Sequence, residues 1–228
     1  MIKDNLQKVK ERIFAACSKA GRGPDSITIV CVSKNRPLEQ IKEAIEAGIT
    51  DIGENRIQEA SLKFRALIPN THNLSPIKWH MLGHLQTNKV KEAVKIFDMI
   101  QSVDSVHLAE AINKEALKLN KLQDILIEVK TSPEAAKFGL RPEEAAEAIK
   151  EITKLKNLNL KGLMTIAPMA GNPEKAHPYF KILRKLSDAI NQLTNNQLTI
   201  LSMGMTDDFE AAIEEGSNMV RLGRAIFE

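Results

Sequence analysis

A chain of 228 residues that is 43% hydrophobic holds enough apolar material for one substantial core. Its formal charge of +3, from 32 basic and 29 acidic residues spread along the length, includes no polybasic tract of the kind that binds nucleic acid or anionic lipid. Cys17 and Cys31 form no CxxC pair, which argues against a disulfide framework or a zinc site and suits a reducing compartment.

The first dozen residues carry Lys3, Asp4, Lys8, Lys10, Glu11 and Arg12, which is wrong for the apolar core of a signal peptide. No later apolar run approaches about 18 residues, so a soluble cytoplasmic protein is expected. From Ile2 to Ala20, apolar residues at Ile2, Leu6, Val9, Ile13, Phe14 and Cys17 recur at the spacing of one helical face, and "GRGP" ends the pattern. Eight short β-branched runs follow: 27–32, 50–53, 78–83, 97–103, 124–130, 160–166, 199–204 and 218–223. Between them lie amphipathic stretches such as "LEQIKEAIEAG", "SVHLAEAINKEALKLN", "PEEAAEAIKEIT" and "PYFKILRKLSDAINQLT". Regular alternation of strand and helix implies a parallel sheet, and eight units are the number that closes an α/β barrel of the (β/α)8 TIM type, here with an extra N-terminal helix. The competing arrangement is an open doubly wound sheet, disfavoured because no GxGxxG turn follows the first strand. No linker or low-complexity tract divides the chain, so one domain over 1–228 is expected.

In such a barrel, reactive groups gather at the C-terminal strand ends, and phosphates bind at the loops after strands seven and eight. The first strand run, "IVCVSKNRP", ends by delivering Lys34; the plain alternative is a solvated loop lysine. "SMGMTDD" and "RLGRA" fall in the two phosphate-type loops, each with a glycine that lets backbone N–H groups approach a ligand. Thr206 stands where the N-cap of the helix "DDFEAAIEE" is expected, able either to receive a phosphate or simply to cap. A strand-end lysine opposite a phosphate cradle suggests pyridoxal 5'-phosphate, provided a partly desolvated mouth favours the neutral amine. Arg221, a charge inside the apolar run "MVRLG", is placed to donate to the pyridine nitrogen while leaving it unprotonated, which disfavours transamination. Its alternative is an arginine paired with a carboxylate inside the barrel. A barrel that binds a phosphorylated metabolite, with Lys34 acting only as a charge, is a further reading.

"VSKNRP", "DIGENRIQEA", "KWHMLGHLQTNK", "GLMTIAP" and "LSMGMTDDFEAAIEEGSNMVRLGRAIF" occur in this order from about residue 27 to the C-terminus. Together they resemble the pyridoxal phosphate homeostasis proteins, whose barrel is similar to the N-terminal domain of alanine racemase. The resemblance implies PLP held as a Schiff base on Lys34 and Arg221 at the ring nitrogen. It also implies that Thr206, Gly223 and Arg224 hold the phosphate with Ser202 nearby, that Asn55 lies near the ring substituents, and that His84 lines the mouth. At 224 many members carry threonine or a smaller residue, so Arg224 contributes either its backbone N–H or a charge-assisted contact. Lys137, in "EVKTSPEAAKFGL", reads as a solvated lysine at a helix start.

Alanine racemase adds a β domain whose tyrosine serves as a second base. This chain ends after strand eight, and its one tyrosine, Tyr179, falls in a long helical pattern. Without a second positioned base, a proton is not delivered to the opposite face of a carbanion. The expected function is therefore non-catalytic PLP homeostasis, by buffering or delivery to PLP-dependent apoenzymes, in a monomer with no nucleic-acid or membrane partner. The alternative is a PLP-dependent, racemase-like enzyme acting on small amino acids, with His84 or a water as the other base.

Overall fold

The computed structural model describes residues 1–67, 77–134, 138–168, 172–193 and 198–228. Its strands are β1 (Thr28–Val32), β2 (Asp51–Glu54), β3 (Lys78–Met81), β4 (Met99–Val103), β5 (Gln123–Glu128), β6 (Leu158–Met164), β7 (Ile200–Met205) and β8 (Met219–Leu222). Each pairs in parallel with its neighbours in chain order, and β8 closes on β1 with Val30 opposite Arg221. The sheet is a closed (β/α)8 barrel, which excludes the open doubly wound arrangement. Every predicted run contains a strand, with ends displaced by a few residues. The run at 97–103 starts late because the Asp98 carboxylate accepts from the backbone N–H of Trp79, 2.8 Å away, before pairing with β5 begins.

The helices are α1 (Ile2–Lys19), α2 (Leu38–Glu46), α3 (Ile57–Leu67), α4 (Val90–Ile96), α5 (Val106–Lys118), α6 (Pro142–Ile152), α7 (His177–Leu193), α8 (Phe209–Glu214) and α9 (Arg224–Phe227). Local chemistry sets several starts. Pro37, fixed in the extended region, ends the turn after β1 and precedes α2. The Ser105 hydroxyl caps α5 by accepting from Leu108 N–H at 3.2 Å, and Pro142 occupies the first turn of α6. The added helix α1 buries Ile2, Leu6, Val9, Ile13, Ala16 and Cys17, the face its periodicity predicted apart from Phe14, which is exposed. No helix among the described residues is long and apolar enough to cross a membrane. Both cysteines are buried and free.

Alternation along the strands separates two cores. Outward residues such as Cys31, Ile52, Trp79, Ile100, Ile125 and Val220 join the large core beneath the helices. Inward residues Val30, Leu82, Met99, Leu126, Met164 and Met219 form a small second core inside the barrel. A strip of buried polar groups, Asp51, His80, Gln101, Ser202 and Arg221, shares that interior.

Candidate functional site

Lys34 stands two residues past the end of β1, in a turn at the C-terminal mouth. Ser33 N–H donates to Gly53 O (3.0 Å), Arg36 N–H donates to Ser33 O (3.0 Å), and Asn35 occupies the left-handed region at φ 58°. Asparagine tolerates that conformation better than most side chains. The Lys34 side chain is exposed, so the desolvated amine expected from the sequence is not what the protein alone presents. It lines a cavity of about 190 Å³ together with Asn35, Asn55, Arg56 and Glu59. Lys34 and Asn55 are thus brought together. Gly83, after β3, lies so close to Asn55 that an added Cβ would meet its carbonyl oxygen at 2.3 Å, which ties the ends of β2 and β3 into one wall.

Arg221 points into the barrel and is 5% exposed. One terminal nitrogen donates to Ser202 Oγ at 2.7 Å and the other to the Thr165 carbonyl at 2.8 Å. Ser202 Oγ donates to Gln101 Oε1 (2.6 Å), Gln101 Nε2 lies 3.0 Å from His80 Nδ1, and His80 Nε2 lies 2.8 Å from Asp51 Oδ1. The directions are mutually consistent when His80 is protonated on Nε2: it then donates to Asp51 and accepts from Gln101. A hydrogen-bonded chain therefore runs through the barrel from Arg221 to Asp51, which borders a cavity of about 600 Å³ at the opposite end. Burial pulls the Arg221 guanidinium down to about 10, against the raising influence of Asp208 and Glu128, so it remains a cation at neutral pH. Burial acts to raise Asp51, but hydrogen bonds from His80 and Thr50 hold it below its ordinary value. The Ser202 hydroxyl thus accepts from Arg221 and donates to Gln101 inside the barrel.

The loops after β7 and β8 come together at the mouth. Thr206 is not the N-cap of α8: that position belongs to Asp208, whose carboxylate accepts from Met205 N–H at 2.6 Å. The Thr206 hydroxyl accepts from Ala225 N–H at 3.3 Å and so joins the two loops. Gly204 has a packing role. At φ 95° and with an added Cβ only 2.6 Å from that of Ala212, it lets α8 pack on β7. Gly223 is half-buried beside Val32 at the mouth, and the exposed Arg224 side chain pairs with Asp207.

His84 reaches the mouth from the loop after β3, with Nδ1 3.1 Å from Asp104 and its ring stacked on Phe138 at 3.8 Å. One ring nitrogen and one face are therefore engaged by the protein. Lys137 lies outside the described residues. Glu128, at the end of β5, was not anticipated: burial, reinforced by Asp104 and opposed by Arg221, pushes its carboxyl up to about 7. Its signal was an acidic residue in the apolar run "DILIEVK". Among the described residues no cluster of His, Cys, Asp and Glu is arranged to hold a metal ion.

Residues 2–228 match the family model described as alanine racemase, N-terminal domain. The pyridoxal phosphate homeostasis protein of Aquifex aeolicus is 43% identical over 224 residues, covering 98% of this chain and 96% of that protein. The one from Escherichia coli is 35% identical, with 99% and 95% covered. The chain belongs to the pyridoxal phosphate homeostasis protein family. PipY of Synechococcus elongatus, solved with PLP bound, superposes with a TM-score of 0.86 at 32% identity over the whole of both chains. An alanine racemase from Clostridium difficile shares the fold alone, with a TM-score of 0.74 at 20% identity; the match covers 98% of this chain and 56% of that one.

Proposed function

We propose that this protein is a non-catalytic carrier of pyridoxal 5'-phosphate, held covalently through Lys34, that buffers the cofactor or delivers it to PLP-dependent apoenzymes in the cytoplasm. The observation that carries this reading is the pairing, in one barrel mouth, of a solvent-accessible amine on a fixed turn with a buried guanidinium that is still charged at neutral pH. The donor set fits the group. When bound, PLP supplies an aldehyde that condenses with a primary amine and a phosphate that anchors it. Lys34 presents the amine. Arg221 would donate to the ring nitrogen and, having no proton to give up at neutral pH, would leave it unprotonated, which would limit the ring's capacity to accept electrons. Thr206 and the backbone N–H groups of Gly223 and Arg224 would hold the phosphate, and Asn55 would orient the ring substituents.

The non-catalytic reading is supported by Tyr179, half-buried on α7 against the outer core rather than at the mouth, and by the names its relatives carry. Glu128 is the mouth residue on which turnover would depend, since burial pushes its carboxyl up to about 7. In the test, purified protein is reconstituted with PLP, reduced with borohydride and digested. A pyridoxyl phosphate adduct is expected on Lys34, with a visible absorption band absent from Lys34→Ala. Amino acids added to the loaded protein are expected to remain unchanged over many equivalents. Multiple turnovers would overturn the carrier reading, and their loss in Glu128→Gln would name the residue responsible.

A further inference from the structure

Beneath the turn that carries Lys34 lies a second lysine, Lys63 of α3, which is 7% exposed. A helical lysine is ordinarily solvated, and one this buried must have its charge and its protons satisfied. All three ammonium protons have acceptors: Ser33 O at 2.6 Å, Glu54 Oε1 at 2.7 Å and Glu59 Oε1 at 2.6 Å. The same two carboxylates continue to the turn. Glu54 Oε1 also accepts from Ser33 Oγ at 2.5 Å, and Glu59 Oε1 accepts from the backbone N–H of Asn35 at 2.6 Å. The residue before Lys34 is therefore gripped by Lys63 and Glu54, and the residue after it by Glu59. Lys34 itself has no hydrogen-bond or ion-pair partner among the described residues. Burial raises the Glu54 carboxyl despite its bonds to Lys63 and Ser33, and its Oε2 is buried with no partner. Burial would raise Glu59 as well, but the bonds from Lys63 and Asn35 N–H hold it low.

This arrangement fixes backbone and frees side chain at a single residue. It costs the protein a buried cation and a carboxylate with one unpaired oxygen, which a mere surface turn does not require. We propose that Lys63, acting with Glu54 and Glu59, is a positioning residue that presents Lys34 to the barrel mouth. The inference rests on the reading of Lys34 as the cofactor-bearing amine. With the turn released, Asn35 leaves the left-handed region, the Lys34 Cα–Cβ direction is no longer set, and an aldehyde anchored by its phosphate meets the amine less often.

The experiment uses the full chain and three variants: Lys63→Met, Lys63→Met with Glu54→Gln to remove the unpaired buried charge, and Glu59→Gln, whose site is half-exposed and tolerant. Two quantities are read: the PLP concentration that half-saturates the visible band at Lys34, and amide hydrogen exchange at Asn35. The expectation is at least tenfold weaker PLP binding for the better-folded Lys63 variant and about threefold weaker for Glu59→Gln. Asn35 should exchange faster in each, while amides of β4 to β6 keep their protection. Unchanged half-saturation in variants with native-like protection of β4 to β6 overturns the proposal and leaves the carrier reading intact. If the parent protein forms no adduct with PLP, the carrier reading fails, and exchange at Asn35 then decides: an unaltered rate in the Lys63 and Glu59 variants overturns the clamp too, and faster exchange upholds its hold on the turn.

Discussion

On the β1–β2 side of the mouth, the backbone around Lys34 is held from outside the barrel wall by charge; on the β7–β8 side, Arg221 is held from inside by largely neutral groups. The difference follows from strand alternation. Asp51 and Gly53 of β2 face the interior, so Glu54 faces out toward α3, where Lys63 can reach it at 2.7 Å. Arg221 of β8 faces in, where Thr165 O, Ser202 and Gln101 supply acceptors and relay donors. A charged clamp is stiff but fails badly when one member is lost. A neutral chain degrades by one unsatisfied group at a time.

The largest test of that contrast is Lys63→Met. It leaves Glu54 and Glu59 facing one another without their cation, and Glu54 is fully buried. A loss of about 4 kcal/mol in urea unfolding is expected, with roughly half recovered by the added Glu54→Gln change, since an orphaned buried charge costs more than an absent pair. A loss below about 1 kcal/mol would show that the carboxylates simply protonate, and the clamp would then be no stiffer than the inner chain.

Glu128 sharpens the contrast from the other side, because it is a mouth carboxyl for which no lysine is supplied. Its side chain has no hydrogen bond or salt bridge among the described residues, and its carboxyl is pushed up to about 7 by burial and by Asp104, with Arg221 opposing. A raised acid binds its proton more tightly in the folded state. Its contribution to stability is therefore fully present below the ordinary glutamate value of 4.5 and is lost as pH rises through about 7. A shift of this size corresponds to about 3 kcal/mol. Glu128→Gln should match the parent near pH 4 and exceed it by about 3 kcal/mol at pH 8, measured as the difference between the two unfolding curves so that other titrating groups cancel. An equal difference at both pH values would rule out this origin.

The legible part of the molecule is what period and punctuation encode. The alternation of β-branched runs with amphipathic stretches encodes the closed eight-stranded barrel, because the outward residues of each run are apolar and bury beneath the helices, while the interior also accepts a polar strip. Arg221 stood out in "MVRLG" because a charge amid such residues has to be accommodated. The rest depends on which groups meet across the fold. Lys63 reads as one more polar position in "IQEASLKFRAL", and it becomes a buried cation by meeting Ser33, 30 residues earlier, together with Glu54 and Glu59. Ser202 reads from the sequence only as a residue near the phosphate loops. Its partner Gln101 lies 101 residues away, and no local pattern links the two. Thr206 was placed at a cap by its residue type, yet Asp208, two residues on, occupies that position.

Gln101→Leu probes the inner chain at its middle. It removes the acceptor of Ser202 Oγ and the donor to His80 Nδ1, both fully or almost fully buried, at a cost of about 2 kcal/mol. Because Arg221 retains its bond to Thr165 O, its orientation should loosen rather than fail. PLP affinity should fall only a few-fold, against the tenfold expected for Lys63. A loss equal to that of Lys63→Met would mean that the two halves are held with the same stiffness.

Arg224→Thr is the mildest change and separates two ways of reading the phosphate loop. The Arg224 side chain is exposed and paired with Asp207, itself exposed, and pairs of this kind contribute about 0.5 kcal/mol or less. Stability should barely move. If position 224 serves the phosphate through its backbone N–H, PLP affinity in the threonine variant stays within about twofold of the parent and keeps the same salt dependence. If the guanidinium leaves Asp207 to contact the phosphate, affinity drops about tenfold, and the difference shrinks as ionic strength is raised. The ion pair with Asp207 favours the first outcome, since a side chain already neutralised at the surface gains little by moving. On that reading the phosphate end of the mouth, like the turn around Lys34, is set by backbone geometry rather than by the side chain that the sequence makes most conspicuous.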